Sequence, residues 1–136
     1  MKKEIAELWA DALESGDYPQ GTCALNRDDS FCCLGVLCDI YKQKTRRGKW
    51  VPLYVYTGER EGNVKGFQTP SGTHLEHVPP EVTKWAKLFS SQGEFVHPPR
   101  LRVSKTFAVS LARLNDLENR SFNQIAKIIR LYWETL

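Results

Sequence analysis

Phe31-Cys32-Cys33-Leu34-Gly35-Val36-Leu37-Cys38-Asp39-Ile40-Tyr41 is the stretch on which the fold of this chain turns. Phe31–Cys38 is its longest apolar run, eight residues in a chain of 136. A membrane span needs roughly 20. Val36, Leu37, Ile40 and Tyr41 keep helical spacing, so a helix is expected from about Cys33. Asp39 interrupts its apolar character. A carboxylate beside Val36 and Ile40 must either hydrogen-bond a loop backbone or face a polar cavity. The run Lys42-Gln43-Lys44-Thr45-Arg46-Arg47-Gly48-Lys49 follows at the C-terminal end, where the helix dipole favours cations.

Toward the N-terminus, Ile5, Leu8, Trp9, Ala12 and Leu13 line one face of a first helix, which Gly16 stops. Tyr18-Pro19-Gln20-Gly21 makes a turn. Cys23–Asn26 and Ser30–Cys32 are expected to pair as a short hairpin around Arg27-Asp28-Asp29. In the other direction, Trp50–Tyr56 has the β-branched and aromatic density of a strand, with Pro52 marking an edge. Residues 57–80 are the loosest stretch, holding four of the nine glycines, and read as an irregular surface connection or a hairpin over a site. Pro79-Pro80 opens a third helix with Val82, Trp85, Ala86 and Phe89 as its buried face. Phe107, Leu111 and Leu114 suggest a helix ending at Asn115-Asp116, with a strand over Thr106–Ala112 as the alternative. Ser121 and Gln124 form a capping box for a last helix with an apolar stripe from Phe122 to Trp133. These elements describe one compact α+β domain over residues 1–136, with four or five helices and a small antiparallel sheet.

A hydrophobic content of 41% excludes disorder. The opening Met-Lys-Lys-Glu-Ile-Ala-Glu has acids where a signal peptide needs an apolar stretch, which points to the cytoplasm. The net charge of +3 hides a division. Residues 1–41 hold three basic and eight acidic side chains, residues 42–49 hold five basic ones, and residues 99–136 hold seven basic against three acidic. Concentrated rather than general basicity argues against broad nucleic-acid binding and for one local anionic contact. The four cysteines, Cys23, Cys32, Cys33 and Cys38, lack zinc spacing and are expected to be reduced, at least three of them as small buried hydrophobes. Neither a metal nor a cofactor is expected.

Three sets of residues bear on chemistry. Cys33 at a helix start, with His74 or His77 as base, is the pattern of a papain-like thiol hydrolase, weighed against a buried structural cysteine. Tyr18, Trp50, Tyr54 and Tyr56 are suited to stacking on a base, with Arg46, Arg47, Arg100 and Arg102 for phosphates and Gln20, Asn115 and Asp116 for specificity. Gln20, Asp39 and Asn115-Asp116 are polar at abrupt breaks, where loop tethering competes with a cavity role.

Four segments carry a resemblance. They are Trp9-Ala10-Asp11-Ala12-Leu13-Glu14-Ser15-Gly16-Asp17-Tyr18-Pro19-Gln20-Gly21, Phe31-Cys32-Cys33-Leu34-Gly35-Val36-Leu37-Cys38-Asp39, Val78-Pro79 with Val82 and Trp85, and Leu114-Asn115-Asp116 with Ser121-Phe122 and Ile125-Ala126. Together they resemble a widespread family of small uncharacterised bacteriophage proteins. The resemblance implies a phage protein in the host cytoplasm. Such proteins include anti-defence sponges, compact homo-oligomers that sequester a cyclic nucleotide or ADP-ribose-derived immune signal without cleaving it. The expected pocket combines the first turn, the basic run, the Trp50–Tyr56 strand and the Asn115 region. The alternatives are the thiol hydrolase and a protein-binding inhibitor of a host enzyme.

Overall fold

The computed structural model describes residues 1–53, 63–97 and 109–136. Within them the chain is an α+β domain of five α-helices and five short strands around one core. The second helix, α2 (Cys33–Thr45), is its axis. Every residue from Cys33 to Cys38 is buried, as are Ile40 and Tyr41. An interior helix is apolar on all sides because it has no solvent face. Gly35 is required there, since a Cβ at that position would lie 1.8 Å from the Leu25 carbonyl oxygen. The helix and the loop before it therefore meet backbone to backbone.

Helix α1 (Lys3–Glu14) buries Ile5, Trp9, Ala10 and Leu13 and packs on α2. It also packs on α5 (Phe122–Tyr132), which carries the expected capping box between Ser121 and Gln124. The Trp9 indole donates to the Cys33 carbonyl across 2.9 Å, tying α1 to the first turn of α2. Arg130 on α5 meets Glu14 at 2.7 Å, Asp11 at 2.6 Å and Glu7 at 3.3 Å along the outer face of α1. A short helix α4 (Leu111–Asp116), N-capped by Ser110, settles the choice at this position in favour of helix. Phe107, and the alternative strand up to residue 108, lie outside the described residues.

The strands are β1 (Asn26–Arg27), β2 (Ser30–Phe31), β3 (Lys49–Leu53), β4 (Val64–Thr69) and β5 (Gly72–His74), ordered β2-β1-β4-β3 with β5 also on β4, all antiparallel. The hairpin is tighter than expected. Arg27 belongs to β1, and the turn is Asp28-Asp29 alone, both at positive φ, 51° and 58°. Two such residues match the right-handed twist of the flanking strands. The expected strand from Trp50 is observed from Lys49 to Leu53, on the sheet edge with Pro52 in it. Residues 54–56 of that expectation lie outside the described residues.

One alternative is decided and one expectation corrected. Of the two readings of residues 57–80, irregular connection or hairpin, the described part holds a hairpin, β4 with β5, and β4 is the central strand of the sheet. Residues 57–62 lie outside the description. Gly66 weakens the sequence signal because packing demands it: a Cβ there would lie 2.4 Å from the Thr73 methyl and 2.8 Å from Leu53 Cδ1. Phe89 is not on a buried helix face. Helix α3 (Pro80–Ala86) ends where Lys87 takes a left-handed conformation at φ 53°, so Leu88 turns inward and Phe89 stands 61% exposed.

Candidate functional site

Asp39 resolves its own oddity by collecting donors. Its Oδ2 accepts from the Tyr18 hydroxyl at 2.7 Å and from Gln43 Nε2 at 2.8 Å, and its Oδ1 accepts from Trp50 Nε1 at 2.9 Å. Burial and this carboxylate push the Tyr18 phenol well above its ordinary pKa, so it stays a donor. Phe31 lies between the two rings, edge-on to Tyr18 at 5.2 Å and to Trp50 at 5.7 Å. The structure therefore brings Tyr18 and Trp50 together, but as a clamp joining the first turn, α2 and β3. Arg46 and Arg47 are exposed just beyond, where Arg46, at φ 58°, is the left-handed residue that ends α2.

Gln20 and Asn115 form a second clamp at the opposite end of α2. Asn115 is 1% exposed. Its Oδ1 accepts from the Cys33 backbone N–H at 3.3 Å and from Gln20 Nε2 at 3.1 Å. Its Nδ2 donates to the Gly21 carbonyl at 2.9 Å and to Asp116 Oδ1 at 2.7 Å. Gln20 also donates to the Arg120 carbonyl and accepts from the Phe122 N–H, so one side chain serves the first turn of α5. A helix start in the interior has orphan N–H groups, and these two amides supply partners. Of the remaining expected residues, Tyr54, Tyr56, Arg100 and Arg102 lie outside the described residues.

Cys33 opens α2 as the spacing predicts, but it is fully buried and its thiol donates to the Leu111 carbonyl at 3.5 Å. Burial pushes that thiol well above its ordinary pKa, overriding the helix start. His74 is bonded to Ser71, and His77 to Gln92. The thiol's hydrogen bond thus runs to a carbonyl and not to an imidazole. Among the described residues, no hydrogen bond joins the Cys33 thiol to His74 or His77, the partners the thiol-hydrolase expectation assigned to it. Cys32 and Cys38 are buried as well, and Cys23 is the exposed cysteine.

The open space lies elsewhere. A groove of about 810 Å³ runs between β5, α3 and the segment after α3, within the size range of small-molecule sites. His74, His77, Lys84 and Lys87 line it, and among the described residues no carboxylate does. Phe89 forms part of its wall, exposed because of the turn at Lys87. His74 is held in place through a chain of bonds. Its Nε2 meets the Ser71 hydroxyl at 3.1 Å, and Glu81 at the start of α3 accepts from that hydroxyl and from the Ser71 N–H, both at 2.8 Å, and from Thr69 at 2.9 Å. Burial raises the Glu81 pKa, yet a hydrogen bond from its own backbone N–H and, after it, those from Ser71 and Thr69 outweigh burial and hold the carboxyl below the usual range. An exposed phenyl ring beside two ammonium groups and two imidazoles can stack a planar ring and neutralise phosphate.

A second cavity, a cleft of about 540 Å³, borders the first. Cys23, His77, Gln92, Glu94, Arg113 and Asp116 are among its lining residues. Asp116, one of the expected ligand residues, faces it. Sequence reading missed Lys84, Lys87 and Phe89. The signal available was a pair of lysines three apart beside an aromatic, which reads equally as an ordinary helix end. Among the described residues no cluster of His, Cys, Asp and Glu is placed to hold a metal ion, and no helix is long and apolar enough to cross a membrane.

Fold and cavities define a small α+β domain with a basic groove next to a mixed-charge cleft. The chain belongs to the family described as a domain of unknown function, DUF8296, whose model matches residues 1–133. No curated protein and no solved structure matches it.

Proposed function

We propose that the protein binds and holds a small nucleotide-derived anion in the groove beside α3, without cleaving it. One observation carries this reading: two lysines, two histidines and an exposed Phe89 share a cavity that, among the described residues, no carboxylate lines. Holding rather than hydrolysing is supported by the state of Cys33, the nucleophile the sequence offered, which is fully buried with its thiol on the Leu111 carbonyl. The role that goes with the sequence resemblance is phage anti-defence: sequestration of a cyclic nucleotide or ADP-ribose-type immune signal in the host cytoplasm. A homo-oligomer suits it, because a second copy would close the open side of the groove.

The test is retention and release. The protein is incubated with a panel of cyclic dinucleotides and ADP-ribose derivatives, separated from free ligand, unfolded by heat, and the released molecules are identified by chromatography and mass. Recovery of an intact panel member is the expected result, and the double variant Lys84→Ala, Lys87→Ala should retain at least tenfold less, the equivalent of about 1.4 kcal/mol. No retention at micromolar protein, or recovery of a changed product, overturns the proposal.

A further inference from the structure

The groove and the cleft share a wall, and the wall is thin. His77 lines both cavities. Its Nε2 meets Gln92 Nε2 at 3.0 Å, and Gln92 lines the cleft while its neighbour Ser91 lines the groove. A backbone bond from the Val78 N–H to the Ser91 carbonyl, 3.0 Å, fixes the two segments to each other beneath that side-chain pair. The His77 imidazole and the Gln92 amide thus stand between the two cavities, on segments joined by a backbone hydrogen bond.

The two sides differ in chemistry. The groove has lysines, histidines and an aromatic wall, whereas the cleft sets the carboxylates of Glu76, Glu94 and Asp116 beside Arg113 and Gln92. Asp116 is held by the Asn115 amide, itself buried, so this acceptor does not wander. Carboxylates repel phosphate and accept hydrogen bonds from hydroxyl groups. We infer that the groove and the cleft are two halves of one site for a linear ligand with unlike ends: a nucleotide whose phosphates lie in the groove, joined to a second, hydroxyl-rich sugar that crosses the His77–Gln92 partition into the cleft. The inference rests on the groove reading above and narrows it. A cyclic dinucleotide, with phosphates on both sides of its ring, would carry charge toward the carboxylates, and a nucleoside diphosphate sugar would not.

The exposed thiol supplies a direct readout. Cys23 lines the cleft and not the groove, and the three buried cysteines serve as an internal blank for alkylation. Calorimetry on the full chain compares AMP, which reaches only the groove, with ADP-ribose, which spans both halves. In parallel, iodoacetamide modification of Cys23 is followed by mass. Both ligands should bind, with ADP-ribose about tenfold tighter, the worth of one or two added hydrogen bonds. Glu94→Gln should bring that affinity ratio close to one. Saturating ADP-ribose should slow Cys23 alkylation several-fold while saturating AMP leaves it as it was, a comparison that needs no variant. Equal affinities, or equal effects of the two ligands on Cys23, would overturn the two-part site and leave the groove standing. Binding of neither ligand would bring down the groove reading and this one together.

Discussion

Asn115→Ala is the sharpest test of how the domain is held together. The amide is 1% exposed and makes four hydrogen bonds that join the first turn, α2 and α4. Truncation leaves the Cys33 N–H without its partner at a buried helix start, which costs about 1–3 kcal/mol. The Gly21 carbonyl and Gln20 Nε2 are half-buried or exposed and recover part of their loss from water, adding about 1 kcal/mol together. The expected loss is about 3 kcal/mol, which for a domain of this size lowers the melting temperature by about 10 °C. Urea unfolding followed by tryptophan fluorescence reads it directly, with an unchanged denaturant slope as the sign that the folded and unfolded states keep their compactness. Asn115→Asp separates the donor from the acceptors: it keeps both Oδ1 contacts but places a second carboxylate against Asp116 and the Gly21 carbonyl, so it should also destabilise. A loss under about 1 kcal/mol for the alanine variant would refute the reasoning. So would full stability combined with lost ligand retention, which would make Asn115 the ligand contact that its sequence position suggested.

Two further outcomes follow from the packing. The Glu81 carboxyl is held below its usual pKa in the folded state, so its stabilising contribution is complete above the unfolded value and disappears as pH falls through the folded one. The stability gap between the wild type and Glu81→Gln should therefore be open at pH 7 and close in acid below the ordinary carboxylate range; urea midpoints measured across that window check it, and a gap that widens on acidification contradicts it. Gly35→Ala places a methyl 1.8 Å from the Leu25 carbonyl oxygen, with backbone on both sides and nothing flexible to yield. Destabilisation beyond about 4 kcal/mol, seen as insoluble expression or loss of cooperative unfolding, is expected from such overpacking, and a well-folded Gly35→Ala protein would show that the loop before β1 can move away from α2.

What the sequence revealed of the fold was whatever is decided locally. The Ser121–Gln124 capping box, the apolar stripe of α1 and the end of α4 at Asp116 each depend on residues within a few positions of one another, and all three are observed. Strand β4 was illegible because its character is set at a distance. Val64-Lys65-Gly66-Phe67 shows no alternation a reader would trust, and Gly66 looks like a breaker until Thr73 and Leu53 are seen to occupy the space a side chain would need. Phe89 failed for a related reason. The helical spacing from Val82 continues through it, but a left-handed Lys87 ends the helix first, and nothing in an isolated lysine announces that conformation.

The same division explains the site. Gln20, Asp39 and Asn115 stood out because polar groups among apolar neighbours need partners, and that inference is sound as far as it goes. It leaves open whether the partner is a ligand or the protein itself. In each case the protein supplies it: Asp39 takes Tyr18, Gln43 and Trp50, while Asn115 and Gln20 take each other and the backbone around two helix starts. An amide with all four of its hydrogen bonds made inside the fold has little capacity left for a guest. Of the side chains that face the open cavities, His74 and His77 stood out in sequence only as candidate bases for Cys33, and Lys84 and Lys87 read as ordinary surface because a cavity-facing group and a solvated group share composition. They differ only in the concavity behind them, and that concavity is created by the Lys87 turn and the β4–β5 hairpin, the two features the sequence disclosed least. Searching for polar residues in apolar surroundings therefore finds the joints of this fold. Its cavity-facing residues have to be sought among the positions that flank a change of backbone direction.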